Sequence, residues 1–327
     1  KTFAFLFFAT SVSAQNIKFH KSFGGGGYDE ARSVQQTFDT GYIAVGSTSS
    51  FGAGATDVYL VKTDSLGNLE WYKTFGGVNI DNGSCVRQTV DLGYIIAGYT
   101  NSYGAGGYDA YLIKTDISGT VQWSFTYGGT NWDFGNSVRQ TSDGGYIVAG
   151  NSYSFGSGSE DVYLFKTDTT GVLMWDTTYG GNQDDAGKSV WVCTDSGFFI
   201  TGYTNSFGNG GYDMYIFKTD ALGNLQWQDT IAVTADDKAY QGQQTSDGGY
   251  ITMGNTNSFS ASNQYFQTYM VKSDVLGDTS WTRIDPASDN KVAYSVLQTS
   301  DAVYIFAGRT DDPCNLDFWL FKTDGIG

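Results

Sequence analysis

The chain has 327 residues and a formal net charge of −16, because 34 Asp and Glu outnumber 18 Lys and Arg. An acidic chain without a basic stripe repels a phosphate backbone, which excludes nucleic acid as a partner. The single histidine, His20, excludes Ser-His-Asp, Cys-His and histidine-rich metal sites. Only Glu30, Glu70 and Glu160 are glutamate. Since aspartate suits turns and glutamate favours helices, we expect almost no helix.

The chain begins with an apolar stretch, residues 1–14, that follows a lysine and ends in Val12-Ser13-Ala14. This arrangement is typical of a signal peptide that is cleaved after Ala14. The alternative is a buried strand, but the stretch lies outside the repeat described next and is too short to span a bilayer. We therefore expect a secreted or cell-surface protein, and no other segment is long and apolar enough to cross a membrane.

A sequence repeat of about fifty residues then occurs six times along the chain. Each copy contains a GYI-like step, an apolar strand, a glycine-rich loop and a KTD-like step. The first positions of successive GYI-like steps are 52, 52, 52, 52 and 54 residues apart. A period in this range indicates a solenoid, a propeller or an array. The anchoring positions are Gly41, Gly93, Gly145, Gly197, Gly249 and, with valine in place of glycine, Val303.

The third copy shows four short β patterns, labelled A to D in chain order. Strand A is predicted at Ser137–Thr141 and is followed by an Asp-Gly turn, after which strand B starts at Tyr146. A loop rich in Gly and Ser leads into strand C at Val162–Thr167, and a second turn leads into strand D around Trp175. Four antiparallel strands per repeat describe one blade of a β-propeller.

Six repeats therefore predict an all-β, six-bladed β-propeller of four-stranded antiparallel blades, in one domain at residues 15–327. Strand D follows only five of the six KTD steps, but Phe19–Gly25 matches Trp71–Gly77 position for position. We expect this N-terminal segment to supply the outer strand of the last blade and close the ring, which removes exposed sheet edges. A seven-bladed or incomplete propeller is the alternative.

Binding is expected on the rim that carries the B–C and D–A loops. The GYI glycine and the KTD lysine are 21 residues apart in blades one to four, 23 in blade five and 19 in blade six, so the B–C loop carries all the length variation. Variable loops on a rigid scaffold commonly bind ligands. Tyr108, Trp132 and Tyr212 offer rings on this rim for stacking against sugars or peptide side chains, or alternatively pack between blades.

An aspartate lies twelve residues before the GYI glycine in five copies, within the predicted D–A loops. One interpretation is a ring of carboxylates for Ca²⁺ or a cationic partner, and the other is an Asx cap that orders the crossover between blades. We favour the cap, since a structural role predicts recurrence in nearly every blade, and we expect no cofactor, with Ca²⁺ as the alternative. The residues are Asp29, Asp81, Asp133, Asp185 and Asp237.

Three strings of the repeat are characteristic: GGYIVAG at 144–150, SFGNGGYDMYIFKTDALGNLQW at 206–227, and YGG at 127–129 and 179–181. With these strings the chain resembles secreted bacterial β-propeller repeat proteins of the SBBP-like group, many from bacteria that use type IX secretion. The resemblance covers residues 17–327 and implies a propeller, export and commonly a C-terminal sorting domain, but no established activity. The name of that group suggests seven blades, whereas six repeats are present here.

Together these observations predict a monomeric binding or adhesion module that takes a polysaccharide or a surface protein. One alternative is a glycan-processing enzyme that uses two aspartates of the loop-variable rim, because glycoside hydrolysis needs only two carboxylates. The other is a structural scaffold. No catalytic motif nominates particular residues, so the sequence favours a protein without enzymatic activity.

Overall fold

In the computed structural model the chain folds into blades of antiparallel strands, and the described residues contain no helix. The structure describes residues 19–231, 234–259, 266–285, 290–312 and 315–325. The segment interpreted as a signal peptide, residues 1–14, lies outside these ranges.

The first three blades contain four strands each. Blade one consists of β1 (Asp29–Gln36), β2 (Tyr42–Thr48), β3 (Asp57–Thr63) and β4 (Leu69–Phe75). Blade two consists of β5 (Asp81–Gln88), β6 (Tyr94–Thr100), β7 (Asp109–Thr115) and β8 (Val121–Tyr127). Blade three consists of β9 (Asp133–Gln140), β10 (Tyr146–Ser152), β11 (Asp161–Thr167) and β12 (Leu173–Tyr179).

The remaining strands form blades four to six. Blade four consists of β13 (Asp185–Val192), β14 (Phe198–Thr204), β15 (Asp213–Thr219) and β16 (Leu225–Ile231). Blade five consists of β17 (Asp237–Gln244), β18 (Tyr250–Thr256), β19 (Gln267–Ser273) and β20 (Thr279–Ile284). Blade six consists of β21 (Asn290–Gln298), β22 (Tyr304–Asp312) and β23 (Asn315–Thr323).

Within each blade the strands are paired in chain order. The first strand of every blade faces a common axis, since β1, β5, β9, β13, β17 and β21 all contribute residues to one channel. Sheets arranged in this way around a channel define a β-propeller. The structure thus confirms the predicted six-bladed fold.

The core lies between neighbouring blades rather than within any one of them. All seven residues of β7 are buried because each of its faces packs against an adjoining sheet. The outer strand extends this packing, since the ring of Trp71 lies 5.8 Å from that of Tyr94 in the next blade, centroid to centroid. Burial of such large side chains stabilises the fold by about 1.5–3 kcal/mol each.

In blades one to five the KTD lysine is buried under the A–B turn, a contact that the sequence analysis did not predict. In blade two the Lys114 ammonium donates to Asp91 at 2.8 Å and to the carbonyl of Thr115 at 2.8 Å. The aspartate of the same step orders the next turn, because the Asp116 carboxylate accepts from the main-chain N–H groups of Ser118 and Thr120. The equivalent pairs are Lys62–Asp39, Lys166–Asp143, Lys218–Asp195, Lys272–Asp247 and Lys322–Asp301.

The N-terminal segment, predicted to be the outer strand of blade six, packs against blade one as the outer strand of each earlier blade packs against the next blade. The rings of Phe19 and Tyr42 are 5.7 Å apart at 61°, as Trp71 and Tyr94 are 5.8 Å apart at 61°. However, residues 19–28 form no strand, and the sheet of blade six contains three strands. In the other blades a short turn holds the outer strand beside its partner. This segment is not joined to β23 by a turn, so its pairing would cost more chain entropy.

Candidate binding site at the mouth of the axial channel

The inner strands begin four residues earlier than predicted, because each contains a β-bulge that interrupts its alternating pattern. In β1, Ala31 pairs with Gly46 and Ser33 pairs with Val45, which leaves Arg32 unpaired between them. The glycine is required there, since a Cβ on Gly46 would collide with the carbonyl oxygen of Glu30. The prediction found only the regular part of the strand, after the bulge.

The bulges direct one side chain from every blade towards the axis. All six bulged residues line the channel, which has a volume of about 260 Å³. A bulge commonly re-aims a side chain beside a functional site. The bulged residues are Arg32, Ser84, Asn136, Lys188, Tyr240 and Tyr294.

The six bulged positions differ in chemistry although the surrounding scaffold repeats. By contrast, the next layer of the channel serves to join blades: the Ser33 hydroxyl accepts from Val86 N–H at 3.3 Å, and the Ser137 hydroxyl accepts from Val190 N–H at 3.2 Å. A purely structural position is expected to keep one residue type, as the strand-starting aspartate does. The bulge layer is therefore free to carry recognition.

Aromatic side chains of blades two and three form a continuous surface at the mouth of the channel on the loop rim. We call Tyr99, Tyr108, Trp132, Phe134 and Tyr153 the aromatic wall. Neighbouring ring centroids are 5.0–6.5 Å apart, and Tyr99 lies against the bulged Arg32. Trp132 is 52% exposed and Tyr153 is 37% exposed, so the wall presents ring faces to solvent.

Beside the wall, two lysines of blades four and five share one tyrosine. The Lys238 ammonium lies 3.8 Å from the ring centroid of Tyr212 and 4.8 Å from that of Tyr203. The ammonium of Lys188, a bulged residue, lies 5.1 Å from the Tyr203 centroid. Such positions over a ring face are favourable for a cation. We call Lys188 and Lys238 the lysine pair.

The lysine pair is poorly solvated and lacks a directly bound carboxylate. Burial lowers the pKa of Lys188, an effect that the charge of Glu160 opposes and that of Lys238 reinforces. Burial also lowers the pKa of Lys238. Within the described part of the chain neither lysine forms an ion pair, although every KTD lysine does.

A buried carboxyl group completes this side of the mouth. Glu160 is 7% exposed, and burial raises the pKa of its carboxyl group, while Lys188 and a hydrogen bond from Tyr153 act in the opposite direction. The hydroxyl of Tyr212 donates to Asp184 at 3.2 Å, which fixes the orientation of that ring. The mouth thus combines exposed rings with charged groups that are partly withdrawn from water.

The structure brings two of the three predicted ligand-binding aromatic residues together. Tyr108 and Trp132 are neighbours in the aromatic wall, with centroids 6.0 Å apart, and Tyr212 lies with the lysine pair. Tyr108 also packs on Tyr99 and Phe134, as the inter-blade interpretation expects, whereas Trp132 remains largely exposed. Ligand binding by these residues stays a prediction.

The five predicted aspartates are the first residues of inner strands rather than loop residues. The Asp81 carboxylate accepts from the Thr100 hydroxyl, from Gly77 N–H at 2.8 Å and from the Ser102 hydroxyl at 2.7 Å. Asp29, Asp133, Asp185 and Asp237 start β1, β9, β13 and β17 in the same register. These bonds are what the Asx interpretation predicts; calcium binding stays a prediction that a titration decides.

A second row of buried aspartates escaped the sequence analysis. It starts strand C in the first four blades, and in blade four burial, with the charges of Asp237 and Asp236, raises the pKa of Asp213 to about 6. The sequence pattern that could have revealed this row is the aspartate that ends each of the first four B–C loops. The row consists of Asp57, Asp109, Asp161 and Asp213.

The bulged residues also escaped notice, although the repeat itself marks them. They lie nine positions before the GYI anchor, where aligned copies read Arg, Ser, Asn, Lys, Tyr and Tyr. Three positions earlier the copies read aspartate five times. A position that varies among the copies, three residues after one that is almost always aspartate, was the signal available in the sequence.

Comparison with known proteins identifies the fold. No protein-family model matches the chain. The regulatory protein FlaEY of Caulobacter vibrioides is 26% identical over 216 residues, which are 58% of this chain and 22% of that protein. The chain therefore aligns with less than a quarter of this relative's length.

Two solved structures of Sqt1 from Chaetomium thermophilum superpose on most of the chain. Sqt1 alone gives a TM-score of 0.50 at 10% identity, covering 91% of this chain and 72% of that one. Sqt1 bound to the N-terminus of the ribosomal protein L10 gives 0.51 at 11% identity, covering 91% and 75%. At such identities the likeness shows the β-propeller fold alone.

No described part of the chain forms a helix with the length and hydrophobicity needed to cross a bilayer.

Proposed function

We propose that this β-propeller is a secreted or cell-surface binding module that holds its ligand at the mouth of the axial channel, on the loop rim. The observation that carries the proposal is the convergence of the bulged residues, the aromatic wall and the lysine pair at one mouth. These groups occupy positions at which the six repeats differ. The positions that stabilise each blade internally, such as the KTD lysine, keep one residue type.

The chemistry of the mouth suits a polysaccharide or a segment of a surface protein. Rings with exposed faces and a few oriented polar groups are typical of ligand sites. Sqt1, which shares the fold, holds the N-terminus of a ribosomal protein in its solved complex. Export and an adhesive role are supported by the apolar segment at residues 1–14 and by the resemblance to secreted repeat proteins.

A glycan array tests the proposal. Trp132→Ala and Tyr212→Ala are expected to weaken binding at least about fivefold, since truncation of an anchoring aromatic residue costs more than 1 kcal/mol. The melting temperature should stay within a few degrees, because these rings contribute little to the inter-blade cores. Ser65→Ala and Thr169→Ala on the opposite rim are the matched controls and should change neither. Loss of binding in the controls alone would place the ligand on the other face.

A glycan-processing enzyme is a second candidate, which one observation favours. Glu160 and Asp184 lie at the same mouth, close enough for the Asp184 charge to affect the titration of the glutamate. Two carboxyl groups, one of them with a pKa raised by burial, are the arrangement that cleaves glycosidic bonds. The sequence analysis had expected two aspartates.

Release of reducing sugar ends from a bound polysaccharide tests this candidate. Glu160→Gln should abolish release and retain binding if the pair is catalytic. A parent protein that binds glycan and releases no reducing ends rules the enzyme out.

A further inference from the structure

We infer that the mouth of the channel binds an acidic polysaccharide, with a uronic acid carboxylate at the lysine pair and the adjoining sugar rings against the aromatic wall. This inference rests on the proposed function and names the class of ligand for that site.

The lysine pair points to an anion supplied from outside the chain. A desolvated charge is costly unless an opposite charge binds it, and truncating one partner of a buried pair is strongly destabilising for that reason. The ammonium groups of Lys188 and Lys238 lie 5.1 and 4.8 Å from the centroid of the same ring, Tyr203, so their repulsion adds to this cost. A ligand carboxylate between them would remove both penalties.

The carboxylates of the protein near the lysine pair are engaged in orienting tyrosines. Asp184 accepts from the Tyr212 hydroxyl at 3.2 Å, and Asp236 accepts from Tyr212 N–H at 3.0 Å. Glu160 is buried near the Tyr153 hydroxyl, which affects its titration. These acids attract the lysines only from a distance, so they hold the ring faces in place and leave the ammonium groups available to a ligand.

Two further cations face the same channel in a chain whose net charge is strongly negative. Arg32 and Arg87 line the channel together with Lys188, Arg32 being paired with Glu30. A polyanion would be repelled by the rest of the surface. The local concentration of basic groups at the axis therefore selects where an anionic chain can bind.

The aromatic wall favours a sugar as the carrier of the carboxylate. Trp132 is 52% exposed and meets Tyr108 and Tyr153 edge to face, with centroids 6.0 and 5.9 Å away, so these neighbours fix its orientation while much of its ring stays open to a sugar. The C–H faces of pyranose rings stack on such rings while their hydroxyl groups bond to polar neighbours. Tyr153 adjoins Glu160, so the wall leads directly to the lysine pair.

Isothermal titration calorimetry with three probes tests the inference: oligogalacturonate, a neutral galacto-oligosaccharide of the same length, and poly-L-glutamate. Oligogalacturonate should bind, and the neutral sugar should bind at least about tenfold more weakly, because one charge-assisted contact contributes about 1.5 kcal/mol or more. Lys188→Gln and Lys238→Gln should each weaken oligogalacturonate binding about tenfold and leave neutral-sugar binding unchanged. Lys73→Gln, on the outer strand of blade one, is the matched control.

Lys238→Arg should retain binding, which separates loss of charge from misfolding. Equal binding of both sugars, unaffected by the lysine variants, overturns the inferred anion site while the proposed binding function stands. Binding of poly-L-glutamate without either sugar overturns the saccharide class. Absence of binding to all three probes overturns the inference, and the glycan array with Trp132→Ala then decides the proposed function separately.

Discussion

Removing the charge of Asp91 should destabilise the protein much more than the same change at Asp301 in blade six. Both carboxylates pair with a KTD lysine, but the Lys114 side chain is 3% exposed and that of Lys322 is 55% exposed. Asp91→Asn keeps an amide oxygen for the turn, where Oδ1 accepts from the Thr89 hydroxyl and from Gly93 N–H. The substitution therefore isolates the effect of leaving a buried ammonium without its counter-charge.

The structure gives the magnitude of this difference. Breaking a fully buried ion pair costs about 3–5 kcal/mol. This pair should cost less, because the Asp91 side chain is 51% exposed and Lys114 retains hydrogen bonds to the Thr115 carbonyl and to Gln122. We therefore expect a loss of about 2–3 kcal/mol for Asp91→Asn, against at most about 1 kcal/mol for the solvent-exposed pair at Asp301. At roughly 2 °C per kcal/mol for a chain of this size, the melting temperature should fall by about 5 °C and by less than about 2 °C.

Thermal unfolding followed by circular dichroism at pH 7 measures both variants. Hydrogen bonds from Lys114 and Thr89 hold the pKa of Asp91 below its ordinary value, against the effect of burial. A lowered pKa contributes stability above the unfolded pKa, and that stability is lost as the pH falls through the folded pKa. The parent and Asp91→Asn should hence converge only at a pH below the ordinary pKa of an aspartate. Equal losses at the two sites at pH 7 would refute the role of lysine burial.

Three further predictions concern closure, calcium and pH. Deleting residues 15–25 should sharply reduce the monomer in size-exclusion chromatography, because it exposes the face of blade one that Phe19 covers; a truncated protein that melts and elutes like the parent contradicts this. Calorimetry should show weak or no Ca²⁺ binding, since protein donors already occupy the Asp81 carboxylate; several tight sites lost in Asp81→Ala would establish a calcium ring. Burial raises the pKa of Asp213 to about 6, so the folded state binds this proton more tightly and stability should fall as the pH rises from about 4 to 6; an unchanged slope in Asp213→Asn would contradict this.

The sequence by itself determined the four-stranded pattern of a blade, the number of blades and their order along the chain. Turn residues such as Asp116 and the glycine-rich loops determine the conformation of only a few neighbouring residues, and the alternation of a strand is equally local. Because the repeat of about fifty residues occurs six times, these local patterns can be recognised by comparing its copies. The same local reasoning located the rim on which Tyr108 and Trp132 lie. It also anticipated that Phe19 packs on blade one, because Phe19–Gly25 copies an outer strand, although residues 19–28 form no strand.

Only the tertiary structure decided which side chains meet at the axis. The bulge that turns Lys188 into the channel is defined by pairing with a second strand, so it leaves no pattern within the inner strand alone. The lysine pair joins residues 50 positions apart, on neighbouring blades, around Tyr203. Likewise, Lys114 reaches Asp91 only after strand C folds back under the A–B turn. The Lys114 contact forms within one blade, whereas the contacts at the axis depend on how blades pack, and that packing is a property of the closed ring rather than of any one repeat.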